Sequence, residues 1–523
     1  MKKLFEIKDI DKKTYEEKIK DFLPEKIVDI HTHIWLKEFK EKQKDRVVKW
    51  PAMVVDENPV EHLIESYKLL LPGKEVTPLL FNSPSKDYDI DALNDYVSTS
   101  AKRYKLPSLM LCRPEWTAEE FARKLKESNF LGAKPYLTFT PDYIPRQEIR
   151  IFDFMPHHQL NVLNSTGKIL ILHIPRDARL KDPVNLQQML EIERLYPNIR
   201  LVIAHVGRAY CPTDIGDAFK ILAKTEKMNF DISANTNAIV FRHLIEAVGP
   251  DRIVFGSDLP IVRMRMRRIC EKGVYINLVP KGLYGDVSGD KNMREVSSSE
   301  AEKLTFFLYE EILAFLDAAK KTELCPVDLE KVFYSNASAL IEKAAQEPKC
   351  QLQMVFPEKN FKKVVVPSLP PGYSIRTYRK GDEEVYIKVM ENAGFDNWRY
   401  VEQTLKTALP EGIFFVVHNK TKKIVATACA QNCPTELHPQ GGVLGWVAVD
   451  PEHRGKHLGY IISMKAVERL IKAGYKHIYL STDDFRLAAI KTYLKMGFEP
   501  FYYQPDMKKR WADLMNQLSM KKK

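Results

Sequence analysis

Five side chains suited to metal chemistry stand where apolar runs of the sequence end. His31 and His33 follow KIVDI, His173 follows KILIL, His205 follows IRLVIA and Asp258 follows RIVFG. A spacing of two residues on an extended chain places His31 and His33 on one face. A lone histidine beside an apolar run is more often structural, but a series of them with one carboxylate is a typical ligand set for catalytic zinc or a similar divalent ion. The series predicts a catalytic metal site with room for a water ligand.

These residues require a scaffold that brings distant strand ends together. Eight short apolar runs recur between residues 26 and 260, separated by stretches with helical periodicity such as AEEFARKLKESNF. The runs are KIVDI, TPLLFN, SLMLC, GAKPYL, KILIL, IRLVIA, NFDIS and RIVFG. Nearly continuous apolar runs suit parallel strands covered on both faces, and eight strand–helix units suit a closed barrel. We therefore predict an α/β fold, a (β/α)8 TIM-like barrel, with the candidate ligands at the carboxyl ends of its strands.

The sequence around these residues resembles that of the amidohydrolase superfamily, particularly its amidohydrolase-related branch. The resemblance rests on HTH at strand one, on histidines after strands five and six, and on GSD at strand eight. Longer segments such as LVIAHVGRAY and DRIVFGSDLP are similar to the motifs of that branch in their order and position along the chain. It covers about residues 20–345, and we assign residues 1–345 to a metal-dependent amidohydrolase-type barrel. The substrate is not identified by it.

The resemblance also implies roles for the five side chains. His31, His33 and His173 would bind the ion, with Asp258 close to it. His205 would either bind a second ion or act as an acid or base. The ion would lower the pKa of its water toward about 7 and polarise a carbonyl group, while Asp258 takes the proton. This favours hydrolysis of a small-molecule amide or ester. A non-oxidative decarboxylase, or a scaffold without its own catalysis, stays an alternative.

Lys134, in GAKPYL, decides how many ions the site would hold. Two-metal members of the superfamily carry a carboxylated lysine on the fourth strand, which bridges the ions. The alternative is an ordinary lysine that contacts the substrate or a carboxylate. Both interpretations of Lys134, and therefore one or two ions, stay open.

Other charged residues near strand ends are expected to be structural. His157 and His158 should flank a helix, Arg113 and Arg176 should form salt bridges, and Arg263, Arg265, Arg267 and Arg268 should lie on an exposed helix. Arg113 and Arg176 would otherwise hold a substrate carboxylate through paired donors.

A second domain begins after a stretch of low periodicity. Pro370, Pro371 and Gly372 break any regular element, so we predict a linker over residues 346–370 and a separate domain over 371–523. That domain runs through strand-like GIFFVVHN, KIVATACAQ and GGVLGWVAVD before a helix, GYIISMKAVERLIKAG. Neighbouring strands that precede a helix indicate an α+β fold.

The segment GWVAVDPEHRGKHLGY combines a strand, a turn and a basic, glycine-containing opening of a helix. Backbone N–H groups at such a helix start form a natural pyrophosphate cradle. The arrangement resembles the GNAT N-acetyltransferases over residues 372 to about 505. Their phosphate loop would comprise Arg454, Gly455, Lys456, His457, Leu458 and Gly459, with His457 in place of the first expected glycine. Val447 and Val449 would lie on the strand that pairs with pantetheine.

This second resemblance implies acetyl transfer from acetyl-CoA to an amine. Tyr493 matches the tyrosine that commonly protonates the departing CoA thiolate, although a tyrosine on such a helix is also often packing. Arg486 replaces the usual asparagine of that motif. Asp483 and Asp484 are only candidates for a base, and a water molecule would serve if the acceptor arrives partly neutral.

Composition limits the remaining classes. The net charge is +11, but the basic residues are spread along the 523 residues and interleaved with acidic ones. This pattern argues against a nucleic-acid-binding protein. No run approaches the roughly 20 apolar residues of a membrane span, and the opening MKKLFEIKDIDKK has no signal-peptide core. We therefore expect a cytoplasmic protein with small-molecule substrates, no membrane partner and self-association into a homo-oligomer. The seven cysteines lack paired metal spacing and are expected to be reduced.

Overall fold

The computed structural model describes residues 4–40, 54–83, 85–346, 350–395 and 400–520. The chain divides into two compact units, Met1–Pro348 and Lys349–Lys523. Within the described ranges, no helix is long and apolar enough to cross a bilayer.

The first unit contains the eight predicted parallel strands in sequence order. They are β1 Lys26–His33, β2 Glu75–Phe81, β3 Met110–Cys112, β4 Gly132–Pro135, β5 Ile169–Leu172, β6 Arg200–Ile203, β7 Asn229–Asp231 and β8 Ile253–Val254. β1 pairs with β2, and β3 to β8 form a continuous parallel sheet. Backbone hydrogen bonds join the two groups at both junctions: for example, Leu109 N donates to Leu80 O at 2.9 Å, and Ile30 N donates to Phe255 O at 3.0 Å. The barrel is thereby closed, and the (β/α)8 prediction is confirmed.

Helices surround the strands of this unit. They are α1 Asp9–Thr14, α2 Val60–Leu70, α3 Ile90–Tyr104, α4 Ala118–Glu127, α5 His157–Thr166, α6 Pro183–Leu195, α7 Ala218–Leu222, α8 Ala238–Val248, α9 Ser298–Ala301, α10 Phe307–Lys321, α11 Pro326–Glu330 and α12 Asn336–Ala345. α4 shows why such segments are helical. The Thr117 side chain accepts from Glu120 N at 3.2 Å and caps the helix, and Phe121 and Leu125, four residues apart, bury its apolar face.

A three-stranded sheet follows β8 where the sequence suggested an exposed helix. Its strands are β9 Arg267–Glu271, β10 Val274–Pro280 and β11 Met293–Val296, in the order β11-β10-β9. The prediction for the four arginines is therefore wrong. Arg267 and Arg268 lie on β9, while Arg265 is buried and pairs with Asp11, Nη2 to Oδ2 at 2.6 Å. Arg263 is also buried and donates to the Asn58 side chain.

The expectation of reduced cysteines is wrong for one pair. Cys211, in the loop after β6, and Cys270, on β9, form a disulfide with Cα atoms 5.9 Å apart. The bond joins segments 59 residues apart, so no local spacing of cysteines predicts it. It ties the three-stranded sheet to the loop that follows His205.

The second unit is built on a seven-stranded sheet with the order β13-β14-β15-β16-β17-β12-β18. The strands are β12 Leu352–Phe356, β13 Tyr373–Thr377, β14 Ala408–His418, β15 Ile424–Asn432, β16 Gly441–Val449, β17 His477–Thr482 and β18 Glu499–Phe501. The helices are α13 Glu383–Asn392, α14 Val401–Thr407, α15 Leu458–Lys472, α16 Leu487–Met496 and α17 Met507–Met520. This is the predicted α+β fold.

The segment predicted to be a linker contributes to this sheet. β12 lies inside residues 346–370 and pairs antiparallel with both β17 and β18. It alternates buried Leu352, Met354 and Phe356 with partly exposed residues, so one face enters the core. The linker prediction is wrong here because five residues between polar and proline-bearing stretches give a weak local signal, and their partners lie more than 120 residues away.

β16 and β17 are neighbours over only part of their length. Their parallel pairing covers Gly441 to Val443 of β16 and ends there. From Leu444 onward, β16 retains its antiparallel pairing with β15 on its other edge. The two strands separate, and the freed edge of β16 borders a cavity.

Candidate functional sites

β1 and the segment after β8 bring three predicted ligands together. His33 Nε2 lies 3.2 Å from Asp258 Oδ1, and His31 Nε2 lies 3.6 Å from the same oxygen. Asp258 N donates to His31 O at 2.9 Å, which fixes the two segments side by side. One coordinating atom from each of the three residues lies within 4.8 Å of the others. This is the spacing that ligands of one ion require.

The other ring nitrogens of these histidines are already engaged. His31 Nδ1 is 2.9 Å from Asp231 Oδ2, and His33 Nδ1 is 2.9 Å from Asn82 O. These acceptors hold the proton on Nδ1 and leave Nε2 as the lone-pair nitrogen. His31 Nε2 is buried and has no hydrogen-bond partner among the described residues. A divalent ion between Nε2 and Asp258 would satisfy that orphaned atom.

The electrostatics favour the metal-binding protonation states of His31 and Asp258. Burial, and then the charge of Lys134, lower the pKa of His31 to about 3. Burial alone would raise the pKa of Asp258, but the hydrogen bond with His33 and the electrostatic interactions with His31 and His205 lower it to about 2. A neutral imidazole and an ionised carboxylate are the forms that bind metals.

His173 and His205 stand beside this group. His205 lies two residues after the end of β6, and its ring centroid lies 4.8 Å from that of His31 and 5.4 Å from that of His173. His205 Nδ1 is 3.0 Å from Ser233 O, so the carbonyl holds a proton on Nδ1 and Nε2 is left free. Burial holds the pKa of His173 well below its usual range, and its Nδ1 has no partner among the described residues. His173 is outside the tightest three-residue group.

Lys134 is fully buried on β4. Its Nζ has no hydrogen-bond partner in the described part of the chain and lies 5.1 Å from the ring of Tyr136 and 5.6 Å from that of Phe81. Burial lowers its pKa to about 8, against the opposing charges of Asp231 and Asp258. Lys134 thus faces the metal site without a fixed partner, which suits either interpretation drawn from the sequence.

The second unit holds a cavity of about 950 Å³ beside the freed edge of β16. The predicted residues that line it are Val447, Val449, Arg454, Gly455, His457, Leu458, Gly459 and Tyr493. Lys456 does not line it; its Nζ lies over the ring of Tyr373 at 5.8 Å. The cavity runs from the start of α15 along β16 to α16.

In the loop before α15, the histidine that replaces the expected glycine adopts a backbone conformation typical of glycine. Gly455 has φ +80° and His457 has φ +59°, so the histidine adopts a left-handed conformation that glycine accepts more easily. α15 begins at the next residue, Leu458, and a Cβ on Gly459 would lie 3.2 Å from Val449 Cγ2. The N–H groups at this helix start remain available to a phosphate.

Tyr493 and its neighbours occupy the far side of the same cavity. Burial raises the pKa of Tyr493 to about 12, against the opposing charge of Arg486, so the phenol keeps its proton near neutral pH. Neither candidate base is free. Asp483 pairs with Arg486, Oδ2 to Nε at 3.0 Å, and Asp484 pairs with Arg510, Oδ1 to Nε at 3.1 Å.

Two segments of the chain match known protein families. Residues 28–272 match the sequence profile of the family described as amidohydrolase, and residues 379–498 match that of the GNAT acetyltransferase family. The chain joins an amidohydrolase domain to a GNAT domain. Both belong to enzyme families, which confirms the two resemblances in the sequence.

Individual relatives are distant. Mycothiol acetyltransferase of Nocardia farcinica is 25% identical over 142 residues, 25% of this chain and 47% of that protein. The chain spans about half the length of the curated mycothiol acetyltransferases it matches. A dihydroxybenzoic acid decarboxylase of Polaromonas sp. JS666, solved with manganese and 2-nitroresorcinol, is 14% identical, with a TM-score of 0.37 and coverage of 61% and 97% of the two chains. A probable 2-pyrone-4,6-dicarboxylic acid hydrolase of Acinetobacter baumannii is also 14% identical, with a TM-score of 0.35 and coverage of 60% and 99%.

One residue at the centre of the amidohydrolase site was not predicted from the sequence. Asp231, the last residue of β7, accepts from His205 N at 2.7 Å and from Ser233 N at 3.2 Å through Oδ1, while Oδ2 contacts His31. Burial opposes ionisation of Asp231, but the charge and hydrogen bond of His31 lower its pKa. Its position at a strand end, inside the run NFDIS, was a usable signal.

Asp29 is a second missed residue and lies below the ligands. Its Oδ1 accepts from Ser257 N at 2.9 Å and His31 N at 3.1 Å, and its Oδ2 accepts from Tyr67 OH at 2.7 Å. Burial raises the pKa of Asp29 to about 6 although these hydrogen bonds oppose it. It braces the ligand-bearing ends of β1 and β8 against α2.

The remaining histidine and arginine candidates make structural contacts. His157 Nδ1 is 2.7 Å from Tyr196 OH, and His158 Nε2 is 2.9 Å from Trp116 O, both at the start of α5. Arg176 pairs with Asp182, and Arg113 is exposed.

Proposed function

We propose that the chain is a bifunctional enzyme. Its amidohydrolase domain hydrolyses a small-molecule amide or ester with a divalent ion, zinc in the first instance, and its GNAT domain transfers the acetyl group of acetyl-CoA to an amine. The observation that carries the first activity is the convergence of His31 Nε2 and His33 Nε2 on one oxygen of Asp258. The second rests on the cavity between β16, α15 and α16.

In the amidohydrolase domain, His31, His33, His173 and Asp258 would hold the ion. A divalent ion supplies Lewis acidity toward water and a substrate carbonyl. Asp258 is ionised and takes a proton from the attacking water, and this role needs a carboxylate whose pKa stays below the working pH. His205 presents Nε2 to the site because Nδ1 is held by Ser233 O, so it is positioned to move a proton to the leaving group.

Lys134 is part of this proposed site in one of two forms. As a carbamate it would bridge two ions; as an ammonium it would lie beside the carboxylates of Asp231 and Asp258. Metal quantitation separates the forms, because the bridge requires two ions per chain and the ammonium leaves one. Electrospray mass measured under native conditions gives an independent reading, since a carbamate adds the mass of carbon dioxide.

In the GNAT domain, the N–H groups at the start of α15 would bind the pyrophosphate of acetyl-CoA, and the freed edge of β16 at Val447 and Val449 would pair with pantetheine. Tyr493 would donate its proton to the departing thiolate. Because Asp483 and Asp484 are both paired with arginines, water takes the proton of the amine.

Two measurements on the whole chain test these activities. Elemental analysis after metal-free dialysis should find a stoichiometric divalent ion in the native chain and in His243→Ala, a control at a half-buried histidine on α8, but not in His33→Ala. A native chain without bound metal overturns the hydrolase proposal. Carbon dioxide release in a substrate screen would instead indicate a decarboxylase. For the GNAT domain, acetyl-CoA at about 100 times its Kd should stabilise the fold by about 2.7 kcal/mol. An unchanged melting temperature contradicts that half.

A further inference from the structure

The GNAT cavity has an aromatic wall. We use this name for Phe395, Trp446 and Phe485, all of which line the cavity. The ring centroids of Phe395 and Trp446 are 6.2 Å apart in an edge-to-face arrangement, and Phe485 is 75% exposed. Exposed aromatic surface beside a cavity indicates a binding site for a ligand with an apolar part.

Arg486 sits in this wall and neutralises the acid next to it. Its guanidinium carbon lies 4.0 Å from the ring centroid of Phe395 and 5.0 Å from that of Phe485. Its Nε donates to Asp483 Oδ2 at 3.0 Å, and Gln351 Nε2 donates to Asp483 Oδ1, also at 3.0 Å. Asp483 therefore has a partner on each oxygen.

The charges of the described lining residues disfavour an acceptor with several ammonium groups. Among the described lining residues, Asp483 is the acidic side chain, Arg454 and Arg486 are the guanidinium groups, and His453 and His457 are the histidines. A second or third ammonium group on an acceptor would enter the cavity without a carboxylate partner and would face Arg486. Desolvating an unpaired charge is costly, so polyamines and aminoglycosides are disfavoured.

We propose that the acceptor of the GNAT domain is an aromatic monoamine, whose ring packs against the aromatic wall while its single amine reaches the freed edge of β16. The inference rests on the proposed acetyl-CoA-dependent transfer. The amine nitrogen, once neutral, forms a bond to the acetyl carbon as the carbon–sulfur bond breaks. The nitrogen's excess proton goes to water, and the CoA thiolate takes the proton of Tyr493. Contact between the acceptor's ring and the aromatic wall supplies binding affinity, so the acceptor needs no second ammonium group.

The test compares two amines after cofactor binding has been established. Calorimetric titration with acetyl-CoA comes first, because absence of binding overturns the proposed transferase function itself. With binding established, release of the CoA thiol is followed with 2-phenylethylamine and with spermidine. We expect kcat/KM at least tenfold higher for 2-phenylethylamine. Equal or better use of spermidine, or no turnover of 2-phenylethylamine, overturns the acceptor class while leaving cofactor binding intact.

Variants of the exposed wall residue place the effect in the cavity. Phe485→Ala should lower kcat/KM for 2-phenylethylamine by roughly tenfold, the loss expected for one aromatic contact, with the acetyl-CoA Kd unchanged. Phe485→Glu should in addition raise the relative use of spermidine. Tyr502→Ala is the matched control, since Tyr502 is 52% exposed and does not line the cavity. A Phe485→Ala enzyme as active as the control contradicts the proposal.

Discussion

His31 Nδ1 lies 2.9 Å from Asp231 Oδ2, so a carboxylate at the end of β7 determines which ring nitrogen of a β1 histidine faces the candidate metal site. Both side chains are fully buried. The second oxygen of Asp231 accepts the backbone N–H of His205 at 2.7 Å. One carboxylate thus orients a proposed ligand and the proposed acid–base residue together.

Replacing Asp231 by asparagine should weaken metal binding without removing a ligand. The amide cannot stabilise the Nδ1–H of His31 as a carboxylate does, and loss of such partners costs roughly 10- to 100-fold in metal affinity. Competition with a chromophoric chelator measures the change. Asp217→Asn, at an exposed carboxylate paired with Lys220, is the control and should bind as the native chain does. Equal affinity in both variants would show that Asp231 does not support the metal site.

Lys134 should make the metal-free protein more stable as the pH rises from about 8 to 10. Its pKa is lowered from 10.5 to about 8 on folding, so in that range the unfolded chain binds more protons than the folded chain. Stability then rises with pH, by at most about 3 kcal/mol from this residue. Urea unfolding at pH 7.5 and 9.5 measures the change, and Lys134→Met should lack this contribution. Parallel slopes for the native chain and the variant would contradict the prediction.

Two substitutions in the loop before α15 should have opposite effects on stability. His457→Gly removes a non-glycine residue from the left-handed region and should stabilise the fold by about 0.5–1 kcal/mol. Gly455→Ala introduces a Cβ at φ +80° and should destabilise it by about 1 kcal/mol. Chemical unfolding of the two variants provides the comparison. The same sign for both would mean that backbone strain is not the dominant effect.

Tyr493→Phe should reduce acetyl transfer and leave cofactor binding unchanged. General acid catalysis typically contributes about 10²-fold or more, and the substitution removes only the hydroxyl group. Initial rates of thiol release give kcat, and calorimetry gives the Kd of acetyl-CoA. Tyr502→Phe, outside the cavity, should keep full activity. If Tyr493→Phe retains native kcat, the tyrosine only packs against Phe498.

The spacing of the sequence motifs was sufficient to predict which parts of the barrel meet. His31 and His33, two residues apart on one strand, approach the same oxygen of Asp258 as the barrel topology requires. Strand-end position alone does not separate a direct ligand from its support. Asp231 and Asp258 both lie at the carboxyl end of a barrel strand, yet only the folded structure shows that Asp231 contacts Nδ1 of His31, the ring nitrogen that points away from Asp258.

Features that depend on distant partners were not predictable. β12 is five residues long and is defined by pairing with β17 and β18 rather than by its own pattern. The bond between Cys211 and Cys270 depends on the placement of β9, which the arginine-rich segment did not reveal. In the GNAT domain, Arg486 departs from the family pattern, but its stacking on Phe395 required the fold. The cytoplasmic location and self-association stay predictions.

The position of β12 governs how the protein can be dissected. Because β12 lies between β17 and β18, its two edges carry the hydrogen bonds that hold β18 to the sheet. A fragment cut at the proline pair, residues 370–371, would lose an interior strand and leave two unsatisfied strand edges prone to pairing with other chains. An independently folding GNAT fragment must therefore begin before Gln351. Along the chain, this start lies only a few residues after α12 ends at Ala345.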